Sequence, residues 1–312
     1  MNKIILIIAG LVVSAGAFAQ NNEMISLGAG YSNQSFYSFT NGEVANVDNT
    51  NWDIAFSVSG MGSAIRVNGG YGLELYTYPN GDINDWSSLD TVGMSSWSSQ
   101  INSDESWNLG AFDQNADENE AFDLGWGIYS MITHYITGDS LHVLKWADGT
   151  TKKFQVIQLA SGTYSFRCAD IDGSNEVESS VVKSDFSGKN FAYYSIMNNE
   201  VLDREPLSES WDLIFTKYVT ELYPGMNYGV TGILSNAGYS IAKAEDVPVS
   251  DADYIEETFE EEINTIGYDW KSFNMDTYLY DLQEDLSYFV RKDATGCLLY
   301  TSDAADELRS GD

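Results

Sequence analysis

The chain has 312 residues, 43% hydrophobic and 13% aromatic, enough for real cores and too apolar for a disordered polyanion. Its 47 acidic residues against 15 basic ones leave a net charge of −32. That balance argues against nucleic acid and anionic lipid as partners, since both are polyanions that need Lys/Arg clusters.

In chain order, residues 1–19 read as a secretory signal peptide. MNK is a basic start, IILIIAGLVVSAGA an apolar run, and Ala17-Phe18-Ala19 a small-x-small cleavage site. The apolar run is too short to span a bilayer, and no later run reaches that length. The expectation is a secreted or cell-surface protein without membrane insertion.

Beyond it, turn signals are dense and helix signals scarce. Short β-branched and aromatic runs recur at Ser140–Trp146, Lys152–Leu159 and Leu286–Lys292. They are bounded by turns such as Asn80-Gly81, Asp148-Gly149 and Asp172-Gly173. SLHVLKWADGTTKKFQVIQL predicts a hairpin around Asp148-Gly149. The fold class expected is all-β.

Several phrases occur twice in the same order. FYSF at Phe36–Phe39 returns as YYSI at Tyr193–Ile196, and NWDIAF at Asn51–Phe56 as SWDLIF at Ser210–Phe215. LGWGIYSMITHY at Leu124–Tyr135 returns as YDWKSFNMDTYL at Tyr268–Leu279, and SLHVLKWADG as LSYFVRKDATG. Ordered repeats predict two tandem antiparallel β domains, over residues 22–180 and 186–296, the second lacking its last hairpin strand. In the Trp-Asp phrase, alternation puts Trp52, Ile54 and Phe56 on one face, expected as core, with Asp53 and Ala55 on the other. Asp53 and Asp212 are expected to accept hydrogen bonds from a neighbouring turn rather than to catalyse.

The final residues, 297–312, back-translate to a transposase-end sequencing adapter. They are read as read-through, with the natural chain continuing beyond Gly296. A disulfide between the only two cysteines, Cys168 and Cys297, is therefore not expected.

Chemistry-bearing motifs are few. There is no G-x-S-x-G elbow and no P-loop, and no phrase singles out a carboxylate pair, so an enzyme is not expected. Asp113, Asn115, Asp117 and Asn119 alternate like a calcium loop, but Glu118 stands where the turn needs Gly and Leu124 where a chelating Glu belongs. Asp170–Glu176 offers a second oxygen cluster. Either could hold calcium weakly; solvated loops are the alternative. His134 and His142 have no Cys or His partner at zinc spacing. His142 lies opposite Leu141 and Val143 and is expected at the surface.

FYSFTNGEVANVDNTNWDIAF, followed by IRVNGGYG at Ile65–Gly72 and a late strand ending in a DG turn, resembles the HmuY family of Bacteroidota. The likeness covers nearly all of the first unit and the second up to its end. It implies an all-β surface protein that captures haem, or a related tetrapyrrole, between loops, with two axial side chains and an outer-membrane receptor as possible partner. Tandem members carry a sorting domain for type IX secretion, which is not visible here. In the family one axial ligand lies five residues after the Trp of a Gly-Trp phrase. On Gly125-Trp126 that position is Met131, and the matching residue of the second unit is Met275. Some members use Met in place of His. The second ligand lies upstream in a loop, where this chain offers Met94. His134 can replace Met131 with a small register shift. For Met131 the other reading is a core gap-filler beside Trp126. Arg66 and Lys145 are the nearest cations for the propionates. The alternatives to haem are a surface module binding glycan or protein, and a calcium-stabilised adhesin-like passenger of type IX secretion.

Overall fold

A computed structural model describes residues 24–292. The expected signal segment, Cys297 and the tail read as adapter sequence lie outside these residues. Within them the first half supplies β1 (Asn33–Ser38), β2 (Gly42–Asp48), β3 (Ile54–Ser57), β4 (Ile65–Val67), β5 (Glu74–Thr77), β6 (Gly127–Tyr129), β7 (Ile136–Gly138), β8 (His142–Lys145), β9 (Thr151–Ala160), β10 (Thr163–Asp170) and β11 (Val177–Val182). The second half supplies β12 (Phe191–Ser195), β13 (Glu200–Leu202), β14 (Leu213–Tyr223), β15 (Met226–Ser235), β16 (Tyr239–Glu245), β17 (Lys271–Asn274), β18 (Leu279–Leu282) and β19 (Leu286–Lys292). The described helices are single 3₁₀ turns, so the fold is all-β as expected. No described helix is long and apolar enough to cross a membrane.

All ladders are antiparallel. The largest sheet belongs to the first half. It runs β11-β10-β9-β7-β6, with β8 bonded to β9 and β5 bonded to β8. The expected hairpin is β8–β9. Its turn closes through the Gly149 N–H donating to the Trp146 carbonyl at 2.9 Å, and Gly149 takes the positive φ of +89° that the turn requires.

The other two large sheets do not respect a boundary between residues 180 and 186. One runs β15-β14-β1-β2 and the other β13-β12-β3-β4, each with two strands from either half. The two halves have exchanged partners. The FYSF strand β1 pairs with the WDLIF strand β14, with Tyr37 opposite Leu213 and Phe36 opposite Ile214. The YYSI strand β12 pairs with the WDIAF strand β3, with Tyr194 opposite Ile54 and Tyr193 opposite Ala55. Under the repeat these two registers are the same.

The Trp-Asp aspartates lock the exchange. Asp53 Oδ2 accepts the Ile196 N–H at 2.7 Å, while the Asp53 N–H donates to the Tyr194 carbonyl at 2.9 Å. In the other direction, Asp212 Oδ2 accepts the Phe39 N–H at 2.7 Å, and the Asp212 N–H donates to the Tyr37 carbonyl at 2.7 Å. The other oxygen of each carboxylate is held as well: the Trp146 indole donates to Asp53 Oδ1 at 2.9 Å, and the Tyr239 hydroxyl to Asp212 Oδ1. Both carboxylates are buried. The neighbouring turn expected to bond each Asp is therefore the turn of the opposite half. Asn68 and Asn236 repeat the correspondence. Asn68 Nδ2 donates to the Trp52 carbonyl at 3.0 Å and Asn236 Nδ2 to that of Trp211 at 2.8 Å. The Gly cluster after Asn68 has a steric reason: a Cβ on Gly70 would stand 2.3 Å from the Lys217 carbonyl oxygen of β14.

Both faces of β3 are covered. Ile54 and Phe56 enter the main core with Phe154, Phe166 and Tyr194, where Phe56 stacks on Phe166 at 5.0 Å. Trp52 does not share that face. It packs with Ala55 and Tyr193, meeting Tyr193 edge-on at 5.0 Å. The strand begins only at Ile54, so the period-two alternation does not extend back to Trp52.

Removing Asp212 takes away the acceptor shared by the Phe39 N–H of the first half and the Tyr239 hydroxyl of the second. Asp212→Ala should lower the unfolding free energy by about 2–3 kcal/mol, the scale of hydrogen bonds to a charged acceptor. Asp212→Asn, which keeps one acceptor, should lose less. Chemical denaturation reads both, and an Asp212→Ala protein as stable as the parent would contradict the clasp.

Candidate functional site

The turn between β6 and β7 gathers most of the expected ligand residues. Gly125 and Trp126 anchor its base. Gly125 has φ +83°, and a Cβ there would lie 2.7 Å from the Phe112 carbonyl oxygen. Trp126 is fully buried in the main core, its indole N–H donating to the Ser63 carbonyl at 3.3 Å. From that base the chain turns over residues 130–135. Ser130 N–H donates to the Tyr135 carbonyl and His134 N–H to the Ser130 carbonyl, both at 2.8 Å. His134 sits at φ +59°.

The turn carries its side chains outward. Met131 is 66% exposed and Ile132 more so. The reading of Met131 as a core gap-filler is thus overturned: Trp126 alone goes inward, and the five-residue step carries the thioether to the tip. His134 is exposed, and its Nδ1 lies 2.7 Å from the Tyr129 hydroxyl. That contact fixes the ring through one nitrogen and leaves Nε2 facing outward from the bond.

Met94 lies elsewhere. It opens a 3₁₀ turn, Met94–Ser96, and is half-buried against a cluster of Tyr76, Tyr78, Trp86, Leu89, Leu141 and Val143 that includes neither Met131 nor His134. Met275 occupies the corresponding turn of the second half, between β17 and β18. There the Tyr278 N–H donates to the Asn274 carbonyl at 2.9 Å, Tyr278 has φ +56°, and Met275 is exposed.

The cations expected for propionates are engaged. Arg66 is buried, with Nη2 donating to the Ser103 carbonyl and Nη1 to that of Ser106, each at 2.8 Å. Its guanidinium lies 4.9 Å over Trp107, and burial lowers its pKa to about 10. Lys145 Nζ pairs with Glu74 at 2.7 Å. Arg66 also borders a cavity of about 70 Å³ between the exchanged strands, lined by Trp52, Trp107, Tyr193 and Ile214. That is small beside ligand pockets, which begin at about 300 Å³.

His142 is not at the surface. It is fully buried, its ring 4.7 Å from that of Phe112, and neither ring nitrogen has a hydrogen-bond partner among the described residues. Burial alone pushes its pKa down to about 3. The alternation argument fails because β8 lies inside the sheet with cores on both faces. Leu144 belongs to one and Leu141 and Val143 to the other.

The acidic loops use their oxygens locally. Asp113 is buried and accepts the Gly110 N–H at 2.6 Å, its pKa raised to about 7 by burial. Asp117 caps Asn119, and Asp123 bonds the backbone of Asp117 and Gly125. In the second oxygen cluster, Asp170 pairs with Lys152 and accepts the Asn175 amide, and Asp172 caps Ser174. No group of three His, Cys, Asp or Glu side chains suited to a metal occurs among the described residues. Cys168 is buried in the main core.

One buried charged group has no counterpart in the sequence reading. Glu205 accepts the Asn190 N–H at 2.8 Å and the Tyr193 hydroxyl at 3.0 Å, with burial raising its pKa to about 7. Arg204, also buried, lies 4.8 Å over Tyr193. The phrase DREP before SWDLIF carries this pair, yet nothing in its pattern distinguishes it from a solvated turn.

Comparison with protein families, curated proteins and solved structures finds no match to this chain.

The buried groups set a measurable pH dependence. His142 is held neutral in the fold but takes a proton near its ordinary 6.5 when unfolded. Its contribution is therefore complete above that pH and is lost as pH falls toward about 3. Asp113 and Glu205, raised to about 7, act with the opposite sign and favour the fold as pH falls below 7. Relative to the parent, His142→Phe should gain stability progressively between about pH 6.5 and pH 3. Denaturation curves at pH 7.5 and 4.5 read the difference; a constant gap would contradict the burial of a neutral imidazole.

Proposed function

We propose that this is an exported, non-enzymatic binding protein whose ligand is haem or a related tetrapyrrole, captured at the turn between β6 and β7. The observation that carries this reading is the Tyr129–His134 contact of 2.7 Å. A histidine that ligates iron keeps its second ring nitrogen in a hydrogen bond, and here Nδ1 is so engaged and Nε2 is left for metal. Met131, on the same tip, supplies a soft thioether that suits ferrous iron. The Tyr129 ring, 6.2 Å from the imidazole, offers apolar surface to a flat macrocycle. Such an outward seat suits capture and hand-over to an outer-membrane receptor rather than chemistry on the haem.

The rival, a surface module for glycan or protein, draws support from the matching exposed tip at Met275. A calcium-stabilised adhesin draws less, because the candidate carboxylates bond their own loops.

Titration with ferric and with ferrous haem, followed at the Soret band, tests the proposal. Binding with a shifted band is expected, weakened about 10–100-fold in His134→Ala, the scale for disturbing a metal ligand or its partner. Met131→Ala should change chiefly the ferrous spectrum. Unaltered haem spectra in both oxidation states would end the tetrapyrrole reading and leave the rival.

A further inference from the structure

The turn between β17 and β18 repeats the turn between β6 and β7 position by position. Tyr129 faces Ile136 across the first hairpin as Phe273 faces Tyr280 across the second. Each turn closes in the same way, the His134 N–H on the Ser130 carbonyl at 2.8 Å and the Tyr278 N–H on the Asn274 carbonyl at 2.9 Å. His134 and Tyr278 take the same left-handed backbone, φ +59° and +56°. Met131 and Met275 are both exposed at the tips. The bases match too: Trp126 and Trp270 each donate an indole N–H to a backbone carbonyl at 3.3 Å. The second hairpin is a copy of the first tip, with tyrosine where the first carries histidine.

The exchange changes what the tip can bind. In the first hairpin the Tyr129 hydroxyl engages the His134 ring. In the second, Phe273 holds that place, its ring 6.4 Å from that of Tyr278 and without a hydroxyl to bond it. The Tyr278 oxygen has no hydrogen-bond partner among the described residues, and its side chain is 75% exposed. Tyr280 meets Phe273 edge-on at 5.4 Å, so three rings stand together on the hairpin. Lys271 shares the face of Phe273 by strand alternation. Its Nζ lies 4.5 Å from the Trp270 ring and 5.0 Å from that of Tyr280. No carboxylate pairs with it among the described residues, in a chain with 47 acidic residues against 15 basic ones. The first tip has Gly127 at that position.

We infer that the β17–β18 turn is a second tetrapyrrole site, selective for ferric iron, with the Tyr278 oxygen as axial ligand and Lys271 as the cation for a propionate. This rests on the tetrapyrrole reading of the first tip. A phenolate is a hard oxygen donor and one of the side chains that hold ferric haem iron in proteins. As the oxygen–iron bond forms, the phenol proton passes to solvent and the iron keeps its oxidation state. The rings of Phe273 and Tyr280 supply apolar wall, and the half-buried ammonium meets a carboxylate that the flat ligand brings with it. The two seats then differ in preference: the imidazole and thioether tip keeps haem after reduction, and the phenolate tip releases it.

Titration of the full chain with ferric haem, counted in equivalents at the Soret band, tests the inference. Two equivalents are expected. Tyr278→Phe should lose one of them, while His134→Ala weakens only the other; both positions are exposed, so the fold is kept. Lys271→Gln should weaken the Tyr278 equivalent alone, by about tenfold, the scale of a hydrogen bond to a charged group. That equivalent should also strengthen about tenfold per pH unit, since its binding releases one proton, and should dissociate on reduction with dithionite. A single equivalent, weakened in His134→Ala and untouched in Tyr278→Phe, would overturn the second site and leave the first. A single equivalent with the reverse pattern would uphold the second site and remove the first. Two equivalents indifferent to Tyr278→Phe would overturn the ligand assignment, and no binding in either oxidation state would remove both seats together.

Discussion

Two carboxylates decide how this molecule holds together. Asp53 and Asp212 each accept a backbone N–H from the half of the chain that does not contain them, and each half offers its opening strand to the other. A buried acceptor given donors on both of its oxygens is strong in one geometry and costly in every other. The exchanged pairing is therefore specified by position as well as by burial. It also places Trp52, Trp107 and Tyr193 around the same small cavity, because β3, β12 and β14 meet there.

The elements themselves were legible in the sequence, and their partners were not. The all-β class, the hairpin around Asp148-Gly149 and the equivalence of the repeated phrases follow from turn residues and ordered matches. Exchange leaves no such trace. FYSF and WDIAF present the same alternation whether they pair within a half or across halves, so a linear pattern supports both and only assembly chooses. The Trp-Asp phrase marks the aspartates as hydrogen-bond acceptors but carries no sign of how far along the chain their donors lie.

The side chains show the same division. The five-residue step from Trp126 leads to Met131 in the turn between β6 and β7, while its outward direction depends on the Ser130–His134 turn. Alternation predicts His142 at the surface because it presupposes a half-buried strand; β8 is flanked by strands and covered on both faces. Arg66 looked available because sequence shows charge but not the loop carbonyls of Ser103 and Ser106 that claim its donors. Glu205 and Arg204 carry no signal in the sequence for the same reason.

The strand exchange has a consequence for the order of events in synthesis. A chain emerges amino-terminus first, and β1 finds its partner at Leu213–Phe215, some hundred and seventy residues later. Until that segment has emerged, the first strand has no native neighbour on one side, and the WDIAF strand waits likewise for Phe191–Tyr194. Closure of the two exchanged sheets must therefore wait for the second half of the chain and is governed by slow, non-local pairing, while the largest sheet, whose strands β5 to β11 all come from the first half, can close before it.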